Sequence, residues 1–275
     1  MKLGIVADEI DRDFRVAVRI GAKVGLRRYE VRFLKSGRAP MCSAEEMAEV
    51  ERIAAGEGVE ITALSPGLFK WTQTADEFAK EMREVYPRAV EWARRWSLPG
   101  LIVFGFRKPD ATEETGPSIP SANPPQHIID WLAEAGRRAA EDKVTLMIEA
   151  EPVCWADNGP ATVSMIRRAG ASSLKINYDP ANVAWMTRRD PLDEFDEVAP
   201  LIANVHIKDL RLTADLAARP QFVVPGEGMI DYAAHFARLK AASFAGPVSL
   251  EPHMDGSEET IRRCKEAVGR IVQLR

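Results

Sequence analysis

The 275-residue chain has only three cysteines and four histidines. None of its apolar runs approaches the ~20 residues of a membrane span. Cys42, Cys154 and Cys264 are scattered. They match neither a disulfide framework nor a zinc-finger spacing, and they suit a reducing cytosol. The start, MKLGIVADEI, holds too short an apolar run before Asp8 for a secretory leader. A cytoplasmic protein with no membrane partner is the expectation. Positive charge is also in short supply. Lys and Arg number 37 against 41 Asp and Glu, giving net −4 and a pI near 5.7. That balance argues against a nucleic-acid partner. No G-x-G-x-x-G turn follows the first apolar run, which leads into Ala7-Asp8-Glu9-Ile10. A dinucleotide-binding sheet is therefore disfavoured.

What the chain does have is alternation. Short apolar runs predict strands over 3–8, 28–34, 59–66, 101–106, 144–152, 173–180, 202–210 and 246–252. Amphipathic segments predict helices over about 12–24, 43–57, 74–96, 126–142, 159–169, 191–199, 231–242 and 257–273. Ser43 and Glu46 form a capping-box pattern at the second helix. Strict strand–helix alternation implies parallel strands joined by right-handed crossovers. Eight such units in this length predict a single α/β domain, residues 1–275, folded as a (β/α)8 barrel. Two long connections, 107–125 and 211–230, follow strands and so belong to the C-terminal face. Each is either a lid or binding loop or a tolerated surface insertion.

The later strands share one feature. Polar residues follow the apolar run at four consecutive strand ends: Glu149 and Glu151, Asn177 and Asp179, His206, then Glu251 and His253. In Asn204-Val205-His206-Ile207-Lys208-Asp209, His206 and Lys208 share a face opposite Val205 and Ile207. Barrel enzymes place their chemistry at this end. Glu149, Asp179 and Glu251, converging in a barrel mouth, repel one another unless a cation neutralises them. Three carboxylates and one imidazole suit Mn²⁺, Mg²⁺, Co²⁺ or Zn²⁺ with open positions. A closed structural zinc site would favour thiolates. His206 is thus expected to ligate a metal, with Lys208 and Asp209 near the rim.

Glu149 at strand five, NYDP (177–180) at six, VHIKD (205–209) at seven, PGEG (225–228) in the next loop and SLEP (249–252) at eight resemble the xylose isomerase-like barrels. These are sugar isomerases and epimerases, including ketose 3-epimerases, hydroxypyruvate isomerase and inosose dehydratase. The resemblance implies one divalent metal held by Glu149, Asp179, His206 and Glu251. It also implies that Glu149 and Glu251 exchange a proton with the carbon between them, as acid and base. The substrate would be an unphosphorylated ketose, polyol or keto-sugar, isomerised or epimerised through an enediolate. Dehydration of a keto-sugar or keto-inositol is the alternative, since an enediolate can also expel a leaving group. Members are often oligomers, so a homo-oligomer is compatible. One departure bears on this: many members carry histidine where this chain has Asn182, and an amide cannot shuttle a proton.

The substrate-binding candidates are Asn182, Lys208, Glu227, Arg32 and Trp155. Arg32 either holds a substrate oxygen or pairs with Glu30 on the same face of strand two. Glu227, within PGEG, contacts His206 or substrate or merely holds the loop. Trp155 and Trp185 follow strands five and six, and either stack on a sugar or pack as core. Lys70, Trp71 and Arg107 follow strands three and four. Glu151 either orients a ligand, adds an acid/base group or pairs with an arginine. His253 touches substrate, ligates or faces water, whereas His127 and His235 fall on helices as surface or packing residues. Two other classes stand against the enzyme reading. A DNA-repair endonuclease on this barrel needs a histidine-rich zinc cluster and a basic surface. A catalytically dead sugar-binding barrel would not be expected to keep all four ligands.

Overall fold

A computed structural model describes residues 1–109, 111, 123–215 and 218–273. Residues 110 and 112–122 of the first long connection, and 216–217 of the second, lie outside the described residues, so the lid reading of 107–125 falls largely there.

Eight parallel strands close into a barrel in simple chain order. They are β1 (Lys2–Val6), β2 (Arg28–Val31), β3 (Glu60–Leu64), β4 (Leu101–Phe104), β5 (Leu146–Glu149), β6 (Leu174–Tyr178), β7 (Ile202–Ile207) and β8 (Pro247–Leu250). β1 pairs with β8 on one side and β2 on the other, which leaves the barrel without an open edge. Strands such as LIVF and LMIE are buried along their whole length because the barrel interior lies on one face and the helices on the other. Val205 and Ile207 accordingly join the main apolar core while His206 points the other way. The ladders stop earlier than the apolar runs. β5 ends at Glu149, β6 at Tyr178 and β7 at Ile207, so residues just beyond them form the mouth.

The helices are α1 (Phe14–Lys23), α2 (Ala44–Glu57), α3 (Ala75–Glu84), α4 (Tyr86–Arg95), α5 (Gln126–Asp142), α6 (Gly159–Ala169), α7 (Pro180–Thr187), α8 (Phe195–Val198), α9 (Tyr232–Ala241) and α10 (Glu258–Gln273). The segment predicted as one helix over 74–96 is broken at Val85, where Pro87 starts a new helix with no N–H to give. Ser43 caps α2, but Glu46 turns to Ser36 instead of reaching back, so the box is half formed. The complete reciprocal box is Thr74–Glu77 on α3. α7 was not foreseen. Asp179 caps it with Pro180 at its first position, a start signal hidden inside the apolar run of β6. The predicted helix over 191–199 is a short 3₁₀ turn followed by α8.

Two small hairpins sit on the mouth. Phe33–Leu34 pairs with Gly37–Arg38, and Asp209–Arg211 pairs with Gln221–Val223. Among the described residues, no helix is long and apolar enough to cross a membrane. Cys42, Cys154 and Cys264 are free and buried.

Candidate metal site and substrate cavity

Parallel register sets the site. Glu149 is level with Asn177, and Asn177 with Asn204, while His206 is level with Ser249. Glu149, Asn177 and Asn204 thus form one layer inside the barrel, and His206 and Ser249 lie two residues further along their strands. Glu149, Asp179, His206 and Glu251 are all buried, and each offers a donor atom within 4.8 Å of the others. His206 Nδ1 lies 3.3 Å from Glu251 Oε2 and 3.6 Å from Glu149 Oε2. Its Nε2 lies 2.8 Å from Glu30 Oε2, where the N–H donates to the carboxylate. That contact keeps a proton on Nε2, so Nδ1 is the nitrogen turned to the acids and the one that could ligate an ion. The donor set therefore fits a hard or borderline divalent ion.

Cations of the chain itself neutralise the acids in this structure. Lys208 is only 2 % exposed, and its Nζ lies 2.6 Å from both Asp179 Oδ2 and Glu251 Oε2. Burial alone would lower its pKa, but Asp179 and Glu251 hold it well above its ordinary value. Burial likewise opposes a charged His206, yet Glu30, Glu251 and Glu149 raise it well above the usual imidazole range. Burial pushes Asp179 up, with Lys208 only partly offsetting it. Glu251 is held well below the carboxylate range against its burial, by Lys208 and His206. Glu149 is lowered against burial by His206.

The two glutamates differ in their partners. Glu251 lies between cations: Arg32 Nη1 donates to Oε1 and Lys208 to Oε2. Glu149 is held by neutral amides. Asn177 Nδ2 donates to Oε2 at 3.1 Å and Asn182 Nδ2 to Oε1 at 3.1 Å. Asn182 also reaches the Ala150 carbonyl at 2.9 Å, so both amide hydrogens have acceptors.

Several expectations are corrected. Lys208 and Asp209 are interior residues, not rim residues. Arg32 does not pair with Glu30. It donates to Asp8 Oδ2 (2.9 Å), Glu9 Oε1 (2.7 Å) and Glu251, because Glu30 is taken by His206. Glu227 stays outside the cavity. Its side chain is about half exposed and pairs with Arg263 at 3.1 Å. Trp155 packs against the core, and it is Trp185 that lines the cavity. Glu151 pairs with Lys70 at 3.4 Å rather than with an arginine. His253 Nδ1 lies 2.9 Å from Glu9, and the residue lines the cavity. His235 is buried and bridges Tyr178 and Asp190, while His127 packs on Trp131. Arg107 lies over Trp71, away from the cavity wall. Glu30, Asn177 and Arg38 were not singled out for these roles in the sequence. The signal for the first two was a polar residue on an inward strand position.

PGEG has a structural task. Asp209 accepts N–H bonds from Leu210 (2.8 Å), Gly226 (2.8 Å), Gly228 (3.0 Å) and Ile230 (3.2 Å). A Cβ on Gly228 would lie 2.1 Å from Asp209 Oδ1 and 2.6 Å from the Leu210 carbonyl. Asp209→Ala strips four donors of their acceptor and Gly228→Ala pushes the loop off it. Each is expected to cost about 2–4 kcal/mol, seen in a thermal melt as a drop of roughly 5–15 °C. Glu227→Ala, a surface change, should move the midpoint by no more than about 2 °C.

Above the four donor residues lies a cavity of about 160 Å³. At ~10–15 Å³ per water position, that is room for a small molecule. Its wall includes Arg32, Arg38, Lys70, Phe104, Trp185 and Phe222.

A closed parallel barrel with an acid–imidazole cluster at its C-terminal mouth agrees with the comparison by sequence, in which a family model described as a xylose isomerase-like TIM barrel matches residues 18–268. The chain belongs to that family. Across 71 residues, 26% of this chain and 25% of the relative, it is 28% identical to a 3-dehydroshikimate dehydratase from Bacillus anthracis. The matched segment is thus about a quarter of that relative's length. Three solved xylose isomerase-like or related barrels share the fold. A probable 3-DHS dehydratase from Bacillus anthracis superimposes with TM-score 0.75 at 18% identity, covering 98% of this chain and 99% of the other. The IOLI protein with a binding zinc atom gives 0.74 at 17%, covering 100% and 99%. A 3-keto-D-glucoside 4-epimerase from E. coli gives 0.72 at 15%, covering 99% of each. The family thus includes dehydratases and epimerases.

Proposed function

We propose that this chain is a divalent-metal-dependent enzyme that enolises a small hydroxy-ketone, with Glu149 as the base. The observation that carries the reading is the asymmetry of the two glutamates. Glu149 faces the cavity with neutral amides on its oxygens, whereas Glu251 is bound by Arg32 and Lys208. A carboxylate locked between two cations is a poor proton acceptor.

The ion would be held by Glu149, Asp179, His206 and Glu251, and when bound it supplies Lewis-acid stabilisation of negative charge on a substrate oxygen. Glu149 takes the proton from the carbon beside the carbonyl. Asn177 and Asn182 fix the plane of its carboxylate, and each oxygen keeps a further lone pair. Glu30 holds the imidazole of His206, and Arg32 holds Glu251, so neither rotates into the cavity. With one free base, the proton returns on the face from which it left. That suits isomerisation, or elimination in which Glu149 passes the proton to a departing hydroxyl that leaves as water. Epimerisation needs a donor on the opposite face, and Asn182, with both amide hydrogens engaged, is not one. Dehydration is the second reading. The same single base supports it, and so does the local likeness to a 3-dehydroshikimate dehydratase.

The test is proton exchange. Protein stripped with EDTA and reloaded with Mn²⁺ is incubated in D₂O with a panel of ketoses, keto-glycosides and keto-carbocycles. Deuterium entering next to the carbonyl, only with metal, is the expected result. Loss of water in the product marks the dehydratase and a moved carbonyl the isomerase. A metal-loaded protein that exchanges nothing across the panel refutes the reading.

A further inference from the structure

The cavity above the metal donors has a neighbour. At about 160 Å³ the cavity itself holds roughly 11–16 water-sized positions, close to the heavy-atom count of one hexose. On the same face, a wider groove of about 520 Å³ runs between the segment after β1 and the segment after β8. The two spaces share a wall made by Phe222, His253 and Arg219. A molecule seated at the metal donors and too large for the cavity would pass this wall into the groove.

The wall is held in place. His253 has φ 51°, a left-handed backbone state that is uncommon outside glycine. Glu9 secures it twice: Oε2 accepts the backbone N–H at 2.7 Å and Oε1 accepts Nδ1–H at 2.9 Å. A carboxylate can only accept, so Nδ1 carries the hydrogen and Nε2 is left over. Nε2 is 3.9 Å from Glu251 Oε1, beyond hydrogen-bond distance, and it has no hydrogen-bond partner among the described residues. Phe222 packs edge-to-face with the same imidazole, ring centroids 4.9 Å apart at 72°. The groove floor is fixed as well. A Cβ on Gly256 would lie 2.2 Å from the Ile10 carbonyl oxygen, so glycine lets the segment after β8 rest on the segment after β1.

The groove has two kinds of surface. Ile10, Pro220, Phe222 and Met254 give it an apolar side, which suits the C–H face of a sugar. Its polar side, Asp8 and Glu9, accepts hydrogen bonds, which suits hydroxyl groups and repels an anion. Arg219 stands exposed at the rim.

We infer that the substrate spans both spaces: a keto-sugar at the metal donors, linked to a second sugar ring in the groove, with His253 Nε2 accepting a hydroxyl hydrogen at the junction. This rests on the enolising reading, because it names what is attached to the hydroxy-ketone that reading enolises. It narrows the substrate from a free ketose or polyol to a two-ring keto-glycoside.

Binding tests the inference apart from turnover. The probes are D-fructose and the glucosylfructoses turanose, maltulose, leucrose and isomaltulose, which attach glucose to different oxygens of the same ketose. Titration calorimetry on Mn²⁺-loaded protein should show at least one disaccharide bound roughly 10- to 100-fold more tightly than fructose, the combined factor of a hydrogen bond and an aromatic contact. Met254→Trp, which fills the groove, should bring that ratio to about one. His253→Asn, which suits the left-handed backbone but loses Nε2, should lower it several-fold. Circular dichroism and Mn²⁺ content confirm that both variants fold and hold the ion. Equal affinity for fructose and every disaccharide in wild type overturns the inference. So does a preference that survives Met254→Trp or is unmoved by His253→Asn, or binding of no probe to protein that holds its ion. Failure of proton exchange with the preference intact would strike the enolising reading alone, and exchange without any preference would strike only the second ring.

Discussion

Glu149→Gln is expected to slow hydrogen exchange at the carbon beside the substrate carbonyl by about 10²- to 10⁴-fold, the usual contribution of a positioned general base. The substitution keeps the shape, but Gln has a single acceptor oxygen, so it keeps only one of the two 3.1 Å bonds that Asn177 and Asn182 donate to Glu149. The metal should be weakened but not lost, because Asp179, His206 and Glu251 remain. Mass spectrometry after dialysis against Mn²⁺ separates the two effects. Wild type should hold about one ion per chain, as a single mononuclear site does. Glu149→Gln should still retain metal under saturating Mn²⁺. The double variant Asp179→Ala/His206→Ala should retain none. Exchange that persists in metal-loaded Glu149→Gln would move the base elsewhere, with Glu251 the first place to look. A double variant that binds as much metal as wild type would show that the four donors are not the site.

Lys208→Met should have opposite effects on the metal-free and metal-bound protein. In the metal-free chain the ammonium bridges two buried carboxylates, at 2.6 Å from each. Removing one partner of a buried pair typically costs about 3–5 kcal/mol. For a domain of this size that is a fall of roughly 6–20 °C in the melting midpoint. Mn²⁺ neutralises the same carboxylates without a competing ammonium, so the stabilisation on adding metal should be larger in Lys208→Met than in wild type. Differential scanning calorimetry with and without Mn²⁺ reads both numbers. An unchanged metal-free midpoint would mean that Lys208 does not compensate these acids, leaving Glu251 to Arg32 and His206.

The barrel was legible because its strands are buried on both faces and therefore read as plain apolar runs. The four donors were legible because each polar residue interrupts such a run at its C-terminal end, where few structural reasons for it exist. The sequence did not show which partner each charge takes. Glu30 and Arg32 share a face of β2, and spacing suggested that they pair. The fold brings His206 across from β7 and Glu251 from β8 first. Lys208 was placed near the rim because lysines seldom stay inside, and only the two acids at its tip explain why it does. Trp155 and Trp185 were indistinguishable by sequence, since both follow a strand by a few residues. Arg38 gave no signal because a short hairpin after β2, rather than a strand position, carries it to the cavity.

The barrel closes between its first strand and its last, and this bears on how the protein is made. Arg32 and Glu30 leave the ribosome well before Glu251, which follows the last barrel strand. Until β8 docks between β7 and β1, Arg32 lacks one of its acids and Lys208 lacks another. A partly synthesised chain therefore carries unmatched interior charges and has no complete cluster to offer an ion. Metal capture should follow the docking of β8, and that strand is the step that a chaperone or a competing aggregate would contest.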